Sequence, residues 1–418
     1  MTTGTQSAED AYRVGADAQR ALDRTNLSPL ALWLFAVTCG VSVANIYYAQ
    51  PLLDSIAASF AIEPSRIGIV VTLTHVGYAL GLILLVPLGD MLDRRKLIIG
   101  QTLLSTGALA IVGTAPTATI FLGGMIAVGL LAVVVQSLVA LTATLASPHE
   151  RGQSVGFVTA GVIIGVLGAR FISGALADLG GWRLVYLASA GFMFCLSLLL
   201  MQVLPRHIQS ARSENYFTIL RSMPGLFLRD PLLRSRAILA FLVFASFSTL
   251  WTAMVLPLSA QSLSHTQIGL FGFAGLAGAL AASGAGRLAD RGLGNWTTVA
   301  SLVLLTLSWL PISLLSSSLV LLALGVVLLD LAVQAVHVTN QSLIFAAHAG
   351  SHSRLVGGYM TFYSLGSAVG AIASTTIYEA FGWTGVSMLG AGFSLTALVF
   401  LGTSRFFFHR VHEDVKTR

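Results

Sequence analysis

The chain has 418 residues, of which 55% are hydrophobic and 10% are charged, and its mean hydropathy is +0.83. Such a composition excludes a soluble globular domain. The formal net charge of +6 does not indicate a nucleic-acid partner, because the basic residues are spread over short segments between apolar stretches.

Residues 1–29 are polar and carry both charge signs, so we expect a cytoplasmic tail there. Twelve apolar stretches follow, each long enough to cross about 30 Å of hydrocarbon as a helix. Continuous apolar runs, rather than short alternating ones, favour helices over a β-barrel. The predicted spans are 30–50, 67–88, 97–115, 118–145, 153–176, 182–204, 236–257, 267–286, 296–315, 319–346, 355–378 and 383–404.

Two short charged loops indicate an internal repeat. The seven residues from Gly89 to Arg95 recur 197 positions later, from Gly286 to Gly292, and each copy follows an apolar span. Three further matches keep the same order, and repeats of this kind are typical of transporters. They are Ile67-Gly68 with Ile268-Gly269, Arg151 with Arg354, and Gly181-Trp182 with Gly382-Trp383. The sequence therefore predicts six-helix bundles at 30–204 and 236–404, a cytoplasmic linker at 205–235 and a cytoplasmic tail at 405–418.

The basic residues predict the orientation. If both termini are cytoplasmic, the cytoplasmic segments contain 20 of the 23 Lys and Arg residues. This asymmetry is the positive-inside rule.

The charged loops resemble the signature Gly-x-Leu-Ala-Asp-Arg-x-Gly-Arg of the major facilitator superfamily. Residues 45–53, together with 329–334 and 340–341, are similar to bacterial members classed with drug–proton antiporters and sugar efflux permeases. The resemblance implies an all-α membrane protein with twelve transmembrane helices in two pseudo-symmetric six-helix bundles. It also implies a bacterial inner membrane location and alternating access around a site between the bundles.

An aspartate at the end of a span can accept hydrogen bonds from the free N–H groups of a neighbouring helix. In the resembled fold, this places Asp93 near the start of the eleventh span and Asp290 near the start of the fifth. We expect both contacts to hold the cytoplasmic side closed; the alternative is that these charges only end a helix and orient a loop. The predicted gate residues are Gly89, Asp93, Arg94, Arg151, Gly286, Asp290, Arg291 and Arg354.

Asp330 lies about eleven residues into the tenth span, between leucines. A carboxylate at that depth is costly unless it meets water, a partner or a proton. We therefore predict that Asp330 couples transport to protons, with His337 as a relay or substrate contact. Gln334 and Gln341 share its helical face and are predicted to line the substrate cavity. The alternative is a structural carboxyl paired with a neighbouring helix.

Arg170 in the fifth span needs an acceptor, for which Asp54 and an anionic substrate are the candidates. The alternative is snorkelling to the interface. Asn45 and Tyr48 share a face and could contact a substrate, or the tyrosine could belong to the interfacial aromatic belt. The resemblance adds Gln136 and Trp251 to the predicted cavity, because their spans line the centre of that fold.

The predicted function is secondary active transport, with proton-coupled efflux of small organic compounds as the first hypothesis. An importer or facilitator with the same fold is the first alternative, and a membrane enzyme acting on lipid-linked substrates is the second. No phosphate-binding loop, metal-ligand spacing or nucleophile motif occurs, so we expect no enzyme activity, no metal and no cofactor. The expected partners are a small-molecule substrate, protons and the lipid bilayer, without nucleic acid, and we expect a monomer.

Overall fold

The computed structural model describes residues 28–147, 150–205, 216–275, 284–347 and 352–416. Within these ranges the chain forms helices and short helical turns, without a strand. The helices are α1 Pro29–Tyr47, α2 Leu53–Phe60, α3 Ile69–Leu84, α4 Arg94–Thr114, α5 Ala118–Leu131, α6 Val134–Leu145, α7 Arg151–Val203, α8 Tyr216–Arg229, α9 Pro231–Ala253, α10 Val255–Ala260, α11 His265–Leu270, α12 Gly294–Ser313, α13 Leu319–Ala347 and α14 His352–Lys416.

Nine helical segments of the described chain are long and apolar enough to cross a membrane. Two of them contain two crossings each, because 53 helical residues extend about 80 Å, more than twice the hydrocarbon thickness. Both break at a glycine with a left-handed backbone, Gly181 in α7 (φ 77°) and Gly382 in α14 (φ 62°). Eleven of the twelve predicted spans are thereby accounted for. The eighth, 267–286, includes residues 276–283, which lie outside the described residues.

The two bundles pack their helices in the same way. In the first, α1 crosses α7 where a Cβ added to Gly161 or Gly165 would collide with the carbonyl oxygen of Ala36 or Gly40. In the second, α9 crosses α14 where a Cβ added to Gly366 or Gly370 would collide with the carbonyl oxygen of Phe241 or Ala245. All four pairs of equivalent residues are 205 positions apart. The repeat seen in the loops therefore extends to the helix packing, where small residues permit close approach.

The bundles also cross each other at equivalent positions. Gly68 at the start of α3 lies against the backbone of Ala371 in α14, and Gly269 in α11 lies against the backbone of Arg170 in α7. Gly68 and Gly269 are 201 positions apart, and so are Ala371 and Arg170. The repeated Ile-Gly pairs thus mark two equivalent points of close approach between the halves.

The predicted linker contains the helix α8, whose Tyr216 hydroxyl donates to the Leu84 carbonyl oxygen over 2.9 Å. This bond joins the linker to the first bundle, at the end of the molecule that carries the loop Gly89–Arg95. We call this the charged-loop end, and the opposite end, where α11 begins, the His265 end.

Candidate functional site

A cavity of about 580 Å³ lies between the two bundles. Its lining comes from both halves and is mainly aliphatic and aromatic, with a few polar side chains. At the charged-loop end it reaches Gly89, Arg94 and Gly357, and in the other direction it extends to Arg170. A cavity of this size, mostly apolar with few polar groups, is typical of a small-molecule site.

Arg170 is the cation of the cavity at the side away from the charged-loop end, where Arg94 also lines it. Its side chain is 2% exposed, and its Nε donates to Oε1 of Gln50 over 2.8 Å. The guanidinium lies 3.7 Å from the ring centroid of Trp251 and 5.1 Å from that of Tyr47, so the ring faces replace part of its hydration. Its Nη2 is buried without a hydrogen-bond partner. Asp54, one of the two candidate acceptors for Arg170, does not fill that role, because its carboxylate contacts His265 instead.

Asp330 is the anion of the cavity, and it lies near Arg170 without pairing with it. Its Oδ1 accepts a hydrogen bond from the indole N–H of Trp251 over 3.2 Å, and its side chain is 5% exposed. Arg170 and Asp330 attract each other electrostatically, but the described chain holds no ion pair of 4 Å or less between them. Trp251 therefore bridges the two charges, offering its ring face to one and its N–H to the other.

Aromatic residues that the sequence did not identify as cavity groups form much of the wall. The hydroxyls of Tyr47 and Tyr363 hydrogen-bond to each other across the two halves. Phe244 packs edge-on against Tyr363 with ring centroids 3.9 Å apart, and Phe247 lies on the other side of Phe244. All four line the cavity. The tyrosine pair closes the contact between the halves at the depth of the two charges.

His337 lies on the cavity wall. It shares one helical face with Gln334 and Gln341, and all three residues line the cavity. Its Nδ1 is 3.1 Å from the hydroxyl of Tyr359, and its Nε2 is 3.4 Å from the amide nitrogen of Gln341. Because an amide nitrogen can only donate, this network assigns Nε2 as an acceptor and Nδ1 as the protonated nitrogen. Gln136, on the opposite half, donates to the hydroxyl of Tyr78 over 3.4 Å and also lines the cavity.

Three predicted cavity residues lie outside its lining. Asn45 accepts a hydrogen bond from Ser189 over 2.7 Å inside the first bundle, and Tyr48 is buried beside it. The face of α1 that lines the cavity contains Val43, Ile46 and Tyr47, one position away from the predicted face. The third residue, Trp251, is buried behind the lining, where it supports Arg170 and Asp330.

At the charged-loop end, Asp93 caps its own helix. It precedes α4 and accepts hydrogen bonds from the backbone N–H groups of Arg95 (2.8 Å) and Lys96 (3.4 Å). Arg94 donates from Nε to the Gly89 carbonyl oxygen over 3.1 Å and from Nη1 to Thr144 over 2.8 Å. The predicted contact from Asp93 to the start of α14 is not made in this conformation.

The remaining gate residues fall near the two equivalent loops. Arg151 is exposed at the first position of α7, Arg291 is exposed after the second loop, and Gly286 faces Val338. The side chains of Asp290 and Arg354 lie outside the described residues. The contact predicted for Asp290 stays a prediction.

The His265 end is closed by polar contacts between the halves. Asp178, near the break in α7, accepts hydrogen bonds from the backbone N–H groups of His265 (3.2 Å) and Thr266 (2.9 Å) and from the Thr266 hydroxyl (2.6 Å). The His265 ring lies between Asp178 (2.9 Å) and Asp54 (3.3 Å). The hydrogen bond that the His265 ring donates to Asp54 and, after it, the one that it donates to Asp178 raise the pKa of His265, against the opposing effect of partial burial. The two carboxylates therefore favour a protonated imidazole at this end.

Comparison with known proteins assigns the family. The family model described as Major Facilitator Superfamily matches residues 32–235 and 236–417. The chain is 44% identical over 375 residues to "Uncharacterized transporter YgaY" of Escherichia coli O157:H7, covering 89% of this chain and 95% of that one. It is 32% identical over 364 residues to "Probable transporter SCO4007" of Streptomyces coelicolor, covering 85% and 83%.

The fold has a solved counterpart at low sequence identity. A bacterial homolog of the human lysosomal transporter Spinster, crystallised in an inward-facing and occupied conformation, superposes with a TM-score of 0.73 at 14% identity. The superposition covers 92% of this chain and 96% of that one. The chain therefore belongs to the major facilitator superfamily and is a multi-pass membrane transporter rather than an enzyme.

Proposed function

We propose that the protein is a proton-coupled transporter of small organic compounds that works by alternating access, with Asp330 as the group that takes up and releases the proton. The observation that carries this proposal is a buried carboxyl at the cavity, held by the indole of Trp251 beside an unpaired Arg170. A carboxyl in that place can exist charged or neutral, because the nearby cation stabilises the first form and burial favours the second.

The distribution of basic residues supports an orientation in the bacterial cytoplasmic membrane with the charged-loop end and both termini inside. In that orientation the cavity extends towards the cytoplasmic side, where Gly89 and Arg94 line it, and the Asp178–His265 contacts lie on the outer side. Transport then requires these contacts to break while new ones form at the charged-loop end. Asp93 and Asp290, with the helix starts at Arg151 and Arg354, remain our candidates for the inner contacts.

Efflux is the first candidate direction, supported by the similarity of residues 45–53, 329–334 and 340–341 to efflux proteins of this superfamily. Import with a proton is the second candidate, and one observation favours it. Neutralising Asp330 leaves Arg170 without its nearby counter-charge, so a proton and an anion would bind together rather than compete. In the efflux candidate, the proton and substrate instead alternate at the site. We expect a monomer to suffice for either, because the cavity is lined by a single chain.

Purified protein in liposomes, with an imposed pH gradient of either sign, tests the coupling. Flux of a panel of organic compounds is measured for the wild type and for Asp330→Asn, at two pH values. We expect the gradient to drive flux in the wild type, and we expect Asp330→Asn to bind substrate but not respond to the gradient. Full gradient-driven activity in Asp330→Asn would remove Asp330 from the coupling role. The sign of the effective gradient distinguishes efflux from import.

A further inference from the structure

We propose that the cavity selects organic anions, with a carboxylate or similar group held by Arg170 and an apolar body against the aromatic wall, and that anion binding is linked to protonation of Asp330. The proposal rests on the proposed function only for its choice of Asp330 as the titrating group, and it favours the import candidate over efflux, because the proton and the anion bind together. The remaining argument comes from the geometry of the cavity.

The first step concerns the unsatisfied guanidinium. Nε of Arg170 is used by Gln50, while Nη2 is buried and has no partner. A buried charged donor without an acceptor is costly, so Nη2 favours any acceptor that the cavity can bring to it. Gln50 is neutral and the surrounding rings offer only their faces. The missing group is therefore an acceptor, and a carboxylate matches the planar fork of an arginine best.

The second step concerns the rest of the ligand. Tyr47, Phe244, Phe247 and Tyr363 line the cavity around this cation, and the cavity is otherwise mainly aliphatic. Around 580 Å³ is far more than a simple inorganic anion requires. The amides of Gln136, Gln334 and Gln341 provide neutral hydrogen bonds along the remaining wall. The lining thus suits an anion whose body is apolar or aromatic.

The third step concerns the proton. A charged Asp330 lies close enough to Arg170 to offset part of its positive potential, and a neutral Asp330 does not. An anion therefore binds better when Asp330 is protonated, and a bound anion favours that protonation in return. The other titratable or charged groups of the described lining are Tyr47 in α1, Tyr78 in α3, Arg94 in α4, Tyr363 in α14 and His337 in α13, the helix of Asp330 itself. Of these, His337 could also strengthen anion binding by becoming protonated, so the test must separate it from Asp330.

The test uses ligands that share one body and differ in charge. A suitable set is 2-naphthoate, 2-naphthamide and 2-naphthylmethylammonium, and parallel sets use a phenyl and an indole body. Equilibrium binding to purified protein in detergent, without any gradient, is measured between pH 5.5 and pH 8.5. We expect the carboxylate of at least one set to bind best and to bind roughly tenfold more tightly at the acidic limit, a typical coupling between two linked sites.

Variants assign the effect to residues. Arg170→Gln should abolish the preference for the carboxylate, and Arg170→Lys should restore part of it. Asp330→Asn should bind the carboxylate tightly at every pH, whereas His337→Gln should keep the wild-type pH dependence. Arg183→Gln is the matched control, because Arg183 lies in the same helix, stacks on Trp182 at 4.3 Å and is remote from the cavity lining. It should bind as the wild type does.

Three results would overturn the proposal: failure of every carboxylate to bind, tighter binding of the ammonium than of the carboxylate, or a pH dependence that persists in Asp330→Asn. Because binding is measured without a gradient, the outcome is independent of transport. Selective anion binding without gradient-driven flux would refute the proposed coupling and keep the anion site. Gradient-driven flux with binding that ignores ligand charge would do the reverse.

Discussion

Removing the carboxylate of Asp178 should shift the protein towards a conformation that is open at the His265 end. This carboxylate accepts hydrogen bonds from two backbone N–H groups at the start of α11 and from the Thr266 hydroxyl, and it comes from the other half of the molecule. Ser264 remains the N-cap of α11, so losing this additional acceptor costs about 1 kcal/mol, and losing the charge near the helix N-terminus costs roughly 0.5 kcal/mol more. About 1.5 kcal/mol corresponds to roughly a tenfold change in the ratio of closed to open molecules.

Spin labels on the two halves can measure this shift. Ala58 and Gln261 are both exposed at this end, one in each half, so cysteines there report the separation by double electron–electron resonance. Cys195 is exposed and would be replaced by serine, whereas Cys39 is buried and can remain. Asp178→Ala should increase the population with the longer distance. Glu63→Ala is the control, because that carboxylate is exposed and its ion pair with Arg66 stays within one half.

The same measurement has a predicted pH dependence. Because the pKa of His265 is raised in the closed form, mainly by Asp54, the stabilisation by its charge is complete below the ordinary pKa of about 6.5. It is lost as the pH rises through the raised value, so the open population of the wild type should increase towards alkaline pH. His265→Gln should remove this dependence. An open population that Asp178→Ala leaves unchanged, or that falls as the pH rises, would refute the reasoning.

Three other substitutions test the described packing. Asp93→Ala should destabilise α4 by about 1 kcal/mol, whereas Asp93→Asn should retain the cap. A change in the ratio of inward-open to outward-open molecules in Asp93→Asn, measured by the same spin-label method, would then indicate the predicted gate contact. Gly165→Leu should lower the thermal unfolding midpoint, because overpacking costs about 1–3 kcal/mol. Gly107→Leu is the control and should not lower it, because Gly107 has open space around it. Equal midpoints for the two variants would contradict the close crossing of α1 and α7. Arg236→Met should lower the free energy of unfolding by about 3 kcal/mol, since it leaves buried amide and hydroxyl oxygens unpaired. Arg234→Met, at an exposed position, should lower it little. Thermal unfolding of both variants measures the difference, and equal midpoints would contradict the prediction.

The fold could be predicted from the sequence because its signals are strong and redundant. Span lengths, the charged loops and the repeated Ile-Gly and Gly-Trp pairs all indicate the same duplicated helical architecture. Each pair also has a physical role that explains the repetition: Gly68 and Gly269 allow the halves to cross, and Gly181 and Gly382 break the long helices.

The candidate site could be predicted only in part. Asp330, Arg170, Gln334 and His337 were identified because polar groups at membrane depth are rare. The face of α1 that lines the cavity could not be predicted, since this helix is apolar on all sides. Its pattern does not separate the cavity face from the lipid face or the bundle interior. Tyr47 was therefore considered only for the interfacial aromatic belt, whereas Asn45 was predicted to line the cavity.

Hydrogen-bond partners that are distant in the chain could not be predicted from the sequence either. Gln50, in the 3-10 turn Gln50–Leu52 between α1 and α2, accepts from Arg170, whereas Asp54 lies in α2 and contacts His265 instead. Sequence distance alone does not distinguish acceptors four residues apart at the end of a span.

The equivalence of Arg170 and Ala371 has a consequence for how a ligand lies in the cavity. Both residues stand opposite a repeated glycine, yet one half places a cation there and the other a methyl group. The same shift of 201 positions relates Asp330 to Gly129, so the carboxylate too has no counterpart. Two identical six-helix units would present a ligand with the same groups from either side. In the fused chain the cavity is polarised, and an amphipathic molecule has one favoured orientation within it.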